Sequence, residues 1–99
     1  MFELVFTTSA QQELARLDSS PRHAGLVKQI KKALGCLQQD PKHPSLQTHP
    51  YTSIEHPYRP HENVFEACAQ QHTLSAYRIF WCYGPKKGQM TIIAITPHP

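Results

Sequence analysis

Met90-Thr91-Ile92-Ile93-Ala94-Ile95-Thr96 is a β-type run that stays apolar whichever way its alternate side chains point. In regular alternation Ile92 and Ala94 share one face, and Ile93 and Ile95 share the other. A strand buried on both sides belongs inside a sheet rather than at its edge, so it needs two neighbours. One is the segment before it, Ser75 to Tyr83, joined to it by the turn Gly84-Pro85-Lys86-Lys87-Gly88. The other must be the spare strand at the N-terminus, where Phe2, Leu4 and Phe6 alternate with Glu3 and Val5. Both ends of the chain are therefore expected at the sheet centre. Val64 to Gln70, ahead of a Gln71-His72-Thr73 turn, supplies a further strand.

Between the first strand and this meander lie two helices. Ser9 with Gln12 has the spacing of a capping box, and Ala10, Leu14 and Leu17 follow on one helical face. Asp18-Ser19-Ser20-Pro21 breaks that helix, with Ser20 as an N-cap for the next and Pro21 at its first position. In the second helix Leu26, Val27, Ile30, Ala33, Leu34 and Leu37 make one apolar stripe, while Lys28, Lys31 and Lys32 fall on the remaining surface. Asp40-Pro41 ends it, because the residue before a proline is pushed out of the α region. Helices joined by so short a break pack as an antiparallel hairpin.

Asp40 to Asn63 is loop, with a short edge strand around Ser45 to Ser53. Pro41, Pro44, Pro50, Pro57 and Pro60 forbid a long helix or a central strand there. His43, His49, His56 and His61 lie in the same stretch, spaced too widely for a zinc motif apart from His56 and His61. They read as solvated histidines, or as parts of a rigid extended loop along the sheet edge.

At 99 residues the chain is a single domain, 1–99. A net charge of +3 permits an anionic partner without demanding one. The odd count of 3 cysteines, Cys36, Cys68 and Cys82, with no C-x-x-C pair, argues against a disulfide framework or a cysteine zinc site. Cys68 and Cys82 read as small packing residues. No signal peptide, membrane span, metal or small-molecule cofactor is expected, and the expected location is the cytoplasm.

The order strand, helical hairpin and antiparallel β-meander resembles the RelE/ParE toxins of type II toxin–antitoxin systems. Leu37-Gln38-Gln39-Asp40-Pro41 is similar to that family's helix ending, Phe65-Glu66-Ala67 and Tyr77-Arg78-Ile79-Phe80-Trp81 to its two meander strands, and Ile95-Thr96-Pro97-His98 to its C-terminal strand. The resemblance covers nearly the whole chain. It implies an α+β fold with two helices on one face of a 4–5-stranded antiparallel sheet whose opposite, concave face is open. It also implies a small antitoxin as partner and, for members of the RelE and YoeB kind, cleavage of messenger RNA on the ribosome.

Such cleavage is attack of a 2′-OH on its own phosphate, which needs a base, an acid and a cation for the developing charge. Along the Ser75–Tyr83 strand, the bulkier Tyr77, Ile79, Trp81 and Tyr83 should meet the helices, which leaves Arg78 on the open face. Arginine fits a phosphate with its planar fork, and the bland alternative is a solvated strand arginine. By resemblance Glu66 acts as base or holds Arg78, against the alternative of an ordinary cross-strand ion pair. His98 suits the acid, against that of a solvated terminal histidine. Lys28, Lys31, Lys32, Lys86 and Lys87 are the candidate RNA-binding patch, or simply solvated lysines.

Some features depart from the catalytic pattern. Pro99 stands where members of the YoeB kind have a terminal tyrosine, and the meander strands Val64–Gln70 and Ser75–Tyr83 hold a single cation. Phosphate neutralisation supplies much of the affinity for RNA, and +3 is modest for it. The alternative is thus a non-catalytic binding protein of the same fold, either of the gyrase-inhibiting ParE type or a non-toxic orphan.

Overall fold

The computed structural model describes residues 1–69 and 76–97. Strand β1 (Glu3–Phe6) is followed by helix α1 (Thr8–Asp18), a 3-10 turn (Pro21–His23) and helix α2 (Ala24–Gln39). A second 3-10 turn (Pro44–Leu46) leads into strand β2 (His49–Pro50), and the chain ends with β3 (Phe65–Cys68), β4 (Tyr77–Tyr83) and β5 (Gln89–Pro97). The sheet order is β1-β5-β4-β3-β2. β1 runs parallel to β5, and the other neighbours are antiparallel. The fold is α+β with a mixed sheet, where a fully antiparallel one was expected.

The last strand does lie inside the sheet, between β4 and β1. The first strand does not: β1 forms the outer edge, so only one end of the chain is interior. The alternation along β5 also differs from a regular strand. Ala94 pairs with Phe80 but Ile92 pairs with Trp81, so Ile93 is the extra residue of a bulge. An inserted residue shifts the pleat by one, and Ile92 and Ile95 consequently both join the core beneath the helices.

Helix α1 starts earlier than the Ser9–Gln12 spacing suggests. Thr7 is the N-cap: its hydroxyl accepts from the Ala10 N–H at 3.1 Å and donates to the Ile93 carbonyl at 2.6 Å. Thr7 therefore caps the helix and ties it to β5 with one group, which Ser9 cannot do. Ser20 makes no side-chain cap bond. Pro21 opens the 3-10 turn instead, closed by His23 N–H to Ser20 C=O at 3.0 Å, and the α-helix proper begins at Ala24.

Val27, Ile30, Ala33, Leu34 and Leu37 are buried as the stripe predicts. With Ala10 and Leu17 of α1 they pack on Ala67, Ile79, Trp81, Met90, Ile92 and Ile95 of the sheet. Full burial of each large aliphatic side chain contributes about 1.5–3 kcal/mol. Two polar clasps fix the layers: Gln38 Nε2 donates to Phe2 C=O at 2.8 Å, and Tyr77 O–H donates to Glu13 Oε2 at 3.1 Å. Arg16 hydrogen-bonds the same carboxylate and holds Glu13 below the usual carboxylate range, with burial working against it and Tyr77 adding to the lowering.

The face away from the helices is not open along its length. Residues 51–63 cross it as a strap. Tyr51 packs on Phe80 with ring centroids 4.7 Å apart. His56 is buried: its Nε2–H donates to the Tyr83 carbonyl at 2.9 Å, while Nδ1 accepts from the Tyr58 and Arg59 N–H groups at 3.2 and 3.0 Å. The Tyr58 hydroxyl meets Thr91 Oγ1 at 3.0 Å, and Thr91 donates onward to the Gly84 carbonyl. Phe80, Cys82 and Thr91 are buried beneath. Gly84, whose carbonyl accepts from Thr91, holds φ 113, a backbone conformation that L side chains rarely adopt. The strap covers a sheet face that would otherwise expose a Phe and a Cys, and it runs as a succession of turns and bends.

Candidate functional site

On the face away from the helices, β3 and β4 place Glu66 opposite Phe80 and Cys68 opposite Arg78. Glu66 and Arg78 thus share a face at diagonal positions, where side chains of this length can reach one another's surroundings. Arg78 is half-buried, one of its nitrogens lies 3.4 Å from the Tyr77 carbonyl, and its β5 neighbour is Thr96. The alternation expected for β4 holds: Ile79 and Trp81 face the helices, and Arg78 faces away.

Glu66 is buried almost completely, at 2% exposure. A carboxylate there needs a partner, because an uncompensated buried charge is costly. One partner is His49 of β2, directly across in the strand register, with Nε2 2.7 Å from Glu66 Oε1. The other ring nitrogen, Nδ1, faces the Gln47 carbonyl at 3.0 Å. Both nitrogens of His49 therefore address acceptors, a pattern that the doubly protonated ring satisfies in full. The sequence reading left His49 among solvated loop histidines. The expected edge strand around Ser45 to Ser53 is present as β2 at the sheet edge, but nothing in the loop's spacing or composition indicated that His49 would meet Glu66 across it.

The remaining candidates lie elsewhere. His98 falls outside the described residues. Lys28, Lys31 and Lys32 are exposed on the outer surface of α2, opposite the buried stripe and so on the other side of the sheet from Glu66 and Arg78. Lys31 also approaches Asp18 at 3.5 Å. Lys86 and Lys87 are exposed in the β4–β5 turn. The lysines do not surround the Glu66 and Arg78 positions.

The other reactive side chains are quiet. Burial pushes the Cys82 thiol up to about 11, in keeping with a packing residue rather than a nucleophile. Burial likewise raises Tyr77 and Tyr83 above the usual phenol range. A cleft of about 500 Å³ between the Pro41–Pro50 segment and the rings of Phe65, Trp81 and Tyr83 is lined in part by His49, but by neither Glu66 nor Arg78. Among the described residues no group of three or more His, Cys, Asp or Glu is placed to hold a metal, and no helix is long and apolar enough to cross a membrane.

No protein-family model matches the sequence, and no curated protein matches it either. Solved structures do. A YoeB/ParE toxin from Agrobacterium tumefaciens superposes with a TM-score of 0.72 at 12% identity, over 98% of this chain and 99% of that one. A copper-bound mutant toxin from Helicobacter pylori superposes with a TM-score of 0.60 at 14% identity, over 99% of this chain and 96% of that one. At such identities the likeness is one of fold. The chain has the RelE/ParE-like toxin fold from end to end, with two helices on one face of a five-stranded sheet.

Proposed function

We propose that this protein is the toxin of a toxin–antitoxin pair and acts as a ribosome-dependent, metal-independent endoribonuclease on messenger RNA, or as a weakened relative of one. The observation that carries the reading is the sharing of one sheet face by Arg78 and the His49-paired Glu66, within a fold that matches toxins over its whole length. Arg78 binds the scissile phosphate and neutralises charge as the 2′-oxygen attacks. Glu66 supports the site from beneath the surface, and His98 stays a candidate proton carrier on the sequence alone. Lys28, Lys31, Lys32, Lys86 and Lys87 contribute diffuse attraction to ribosomal RNA rather than contacts at the cut. A small antitoxin protein is the natural partner, and the cytoplasm is the working compartment.

The strap favours a second reading, since it closes the Phe80, Cys82 and Thr91 region that an open concave face would present. A non-catalytic binder of the same fold, of the gyrase-inhibiting or the non-toxic kind, needs no open catalytic groove. Induced expression in a bacterial host separates the two, with Arg78→Ala beside the wild type and primer extension on a translated message. Growth arrest with cleavage that Arg78→Ala abolishes is the expected result. Arrest without cleavage would move the target to a protein, and no arrest would leave a non-toxic binder.

A further inference from the structure

We infer that His49 is the catalytic acid of this site and Glu66 the positioning residue behind it, an assignment that rests on the nuclease reading above. Exposure decides between the two groups. The Glu66 side chain is 3% exposed and that of His49 is 56% exposed, so a phosphodiester arriving from solvent meets the imidazole and not the carboxylate. The carboxylate in turn fixes the ring through Nε2 at 2.7 Å.

A second observation points to the same ring. Gln47 holds a left-handed backbone, φ 48, which a non-glycine residue adopts at a cost. Its carbonyl is the group that meets His49 Nδ1 at 3.0 Å. That conformation closes the Pro44–Leu46 turn, with the Gln47 N–H bonded to the Pro44 carbonyl, and so fixes where the Gln47 carbonyl points. The imidazole is thus held on one side by the buried Glu66 carboxyl and on the other by the Gln47 carbonyl. In the proposed reaction Nδ1–H exchanges its carbonyl acceptor for a leaving oxygen.

In the reaction the 2′-oxygen forms a bond to phosphorus and its proton passes to solvent water. The bond from phosphorus to the 5′-oxygen breaks, and its electron pair goes to that oxygen, which takes the proton from His49 Nδ1. The products are a 2′,3′-cyclic phosphate and a 5′-hydroxyl. The ring, still bonded to Glu66 through Nε2–H, regains its proton from water.

Replacing the leaving oxygen by sulfur removes the need for an acid, which provides the test. Purified protein is mixed with programmed ribosomes, and single-turnover cleavage is followed on a message with an ordinary linkage or a 5′-bridging phosphorothiolate at the cut. His49→Gln should slow the ordinary linkage by about a hundredfold or more and cleave the sulfur linkage within about tenfold of the wild type. Glu66→Gln should show the same pattern with a smaller loss, and urea unfolding checks that both variants fold. Equal slowing of both linkages would show a structural clasp between β2 and β3 and overturn the assignment. Wild-type rates in His49→Gln would overturn it while leaving the nuclease intact. A wild-type protein that cuts neither message would remove the nuclease reading, and this assignment with it.

Discussion

The two faces of the sheet are held in different ways. Towards the helices, Ile79, Trp81, Met90, Ile92 and Ile95 interlock with the stripes of α1 and α2, and the surface is closed by packing. On the other face the closure is polar. Phe80 and Cys82 are as deeply buried, yet what lies over them is a proline-rich strap fastened by His56, Tyr58 and Arg59. Successive residues of β4 serve the two sides in turn, so Arg78 projects between the core residues Tyr77 and Ile79 without belonging to the core. One strand thus carries stability on one face and the proposed chemistry on the other, and substitutions along it should separate the two.

The largest effect is expected on the helix face. Trp81→Ala should cost about 3–5 kcal/mol of unfolding free energy, since it removes a fully buried indole that Phe65 stacks upon at 4.8 Å. Arg78→Ala, only a few residues away, should change the urea midpoint little and remove the activity. Similar midpoint losses in both variants would mean that the faces are not energetically separate.

A smaller effect belongs to the strap. His56→Ala leaves the Tyr58 and Arg59 N–H groups and the Tyr83 carbonyl without their ring partner, at a cost of about 1–3 kcal/mol. Hydrogen exchange should show those amides opening while the helix amides stay protected. If helix and strap amides lose protection together, the strap is part of the main core rather than a separately held cover.

The smallest concerns the clasp between α1 and β4. Tyr77→Phe deletes the bond to Glu13 and should cost about 0.5–1.5 kcal/mol near neutral pH. Glu13 sits below its ordinary value of 4.5 in the folded protein, so its contribution is present above that value and is lost as acid protonates it. The wild type and Tyr77→Phe should therefore draw together as the pH falls below 4.5. A gap in urea midpoints that stays constant into acid would show that the lost bond does not act through the carboxylate.

Local pattern carried most of the architecture. The stripe from Val27 to Leu37, the glycine-bounded turn Gly84–Gly88 and the alternation of β4 each depend on residues close in the chain, and each reads correctly. The double-sided apolar character of Met90–Thr96 placed β5 inside the sheet, since burial on both faces has few other solutions. The distant pairing of β1 with β5 was also foreseen, whereas finer details set by distant groups were not. The cap fell to Thr7 because the Ile93 carbonyl lies within its reach. The bulge at Ile93 reset which isoleucines meet the helices, and β1 lies at the edge.

The candidate site divides along the same line. That Arg78 faces away from the helices followed from alternation. That Glu66 is buried, that His49 pairs with it across the β2–β3 register, and that His56 locks a cover over the concave face were decided by tertiary structure alone. Histidine reports little in sequence, because its role follows from which groups its two nitrogens meet. In this chain those groups come from other strands and turns, brought into place only when β2 docks on β3 and the strap folds across the sheet.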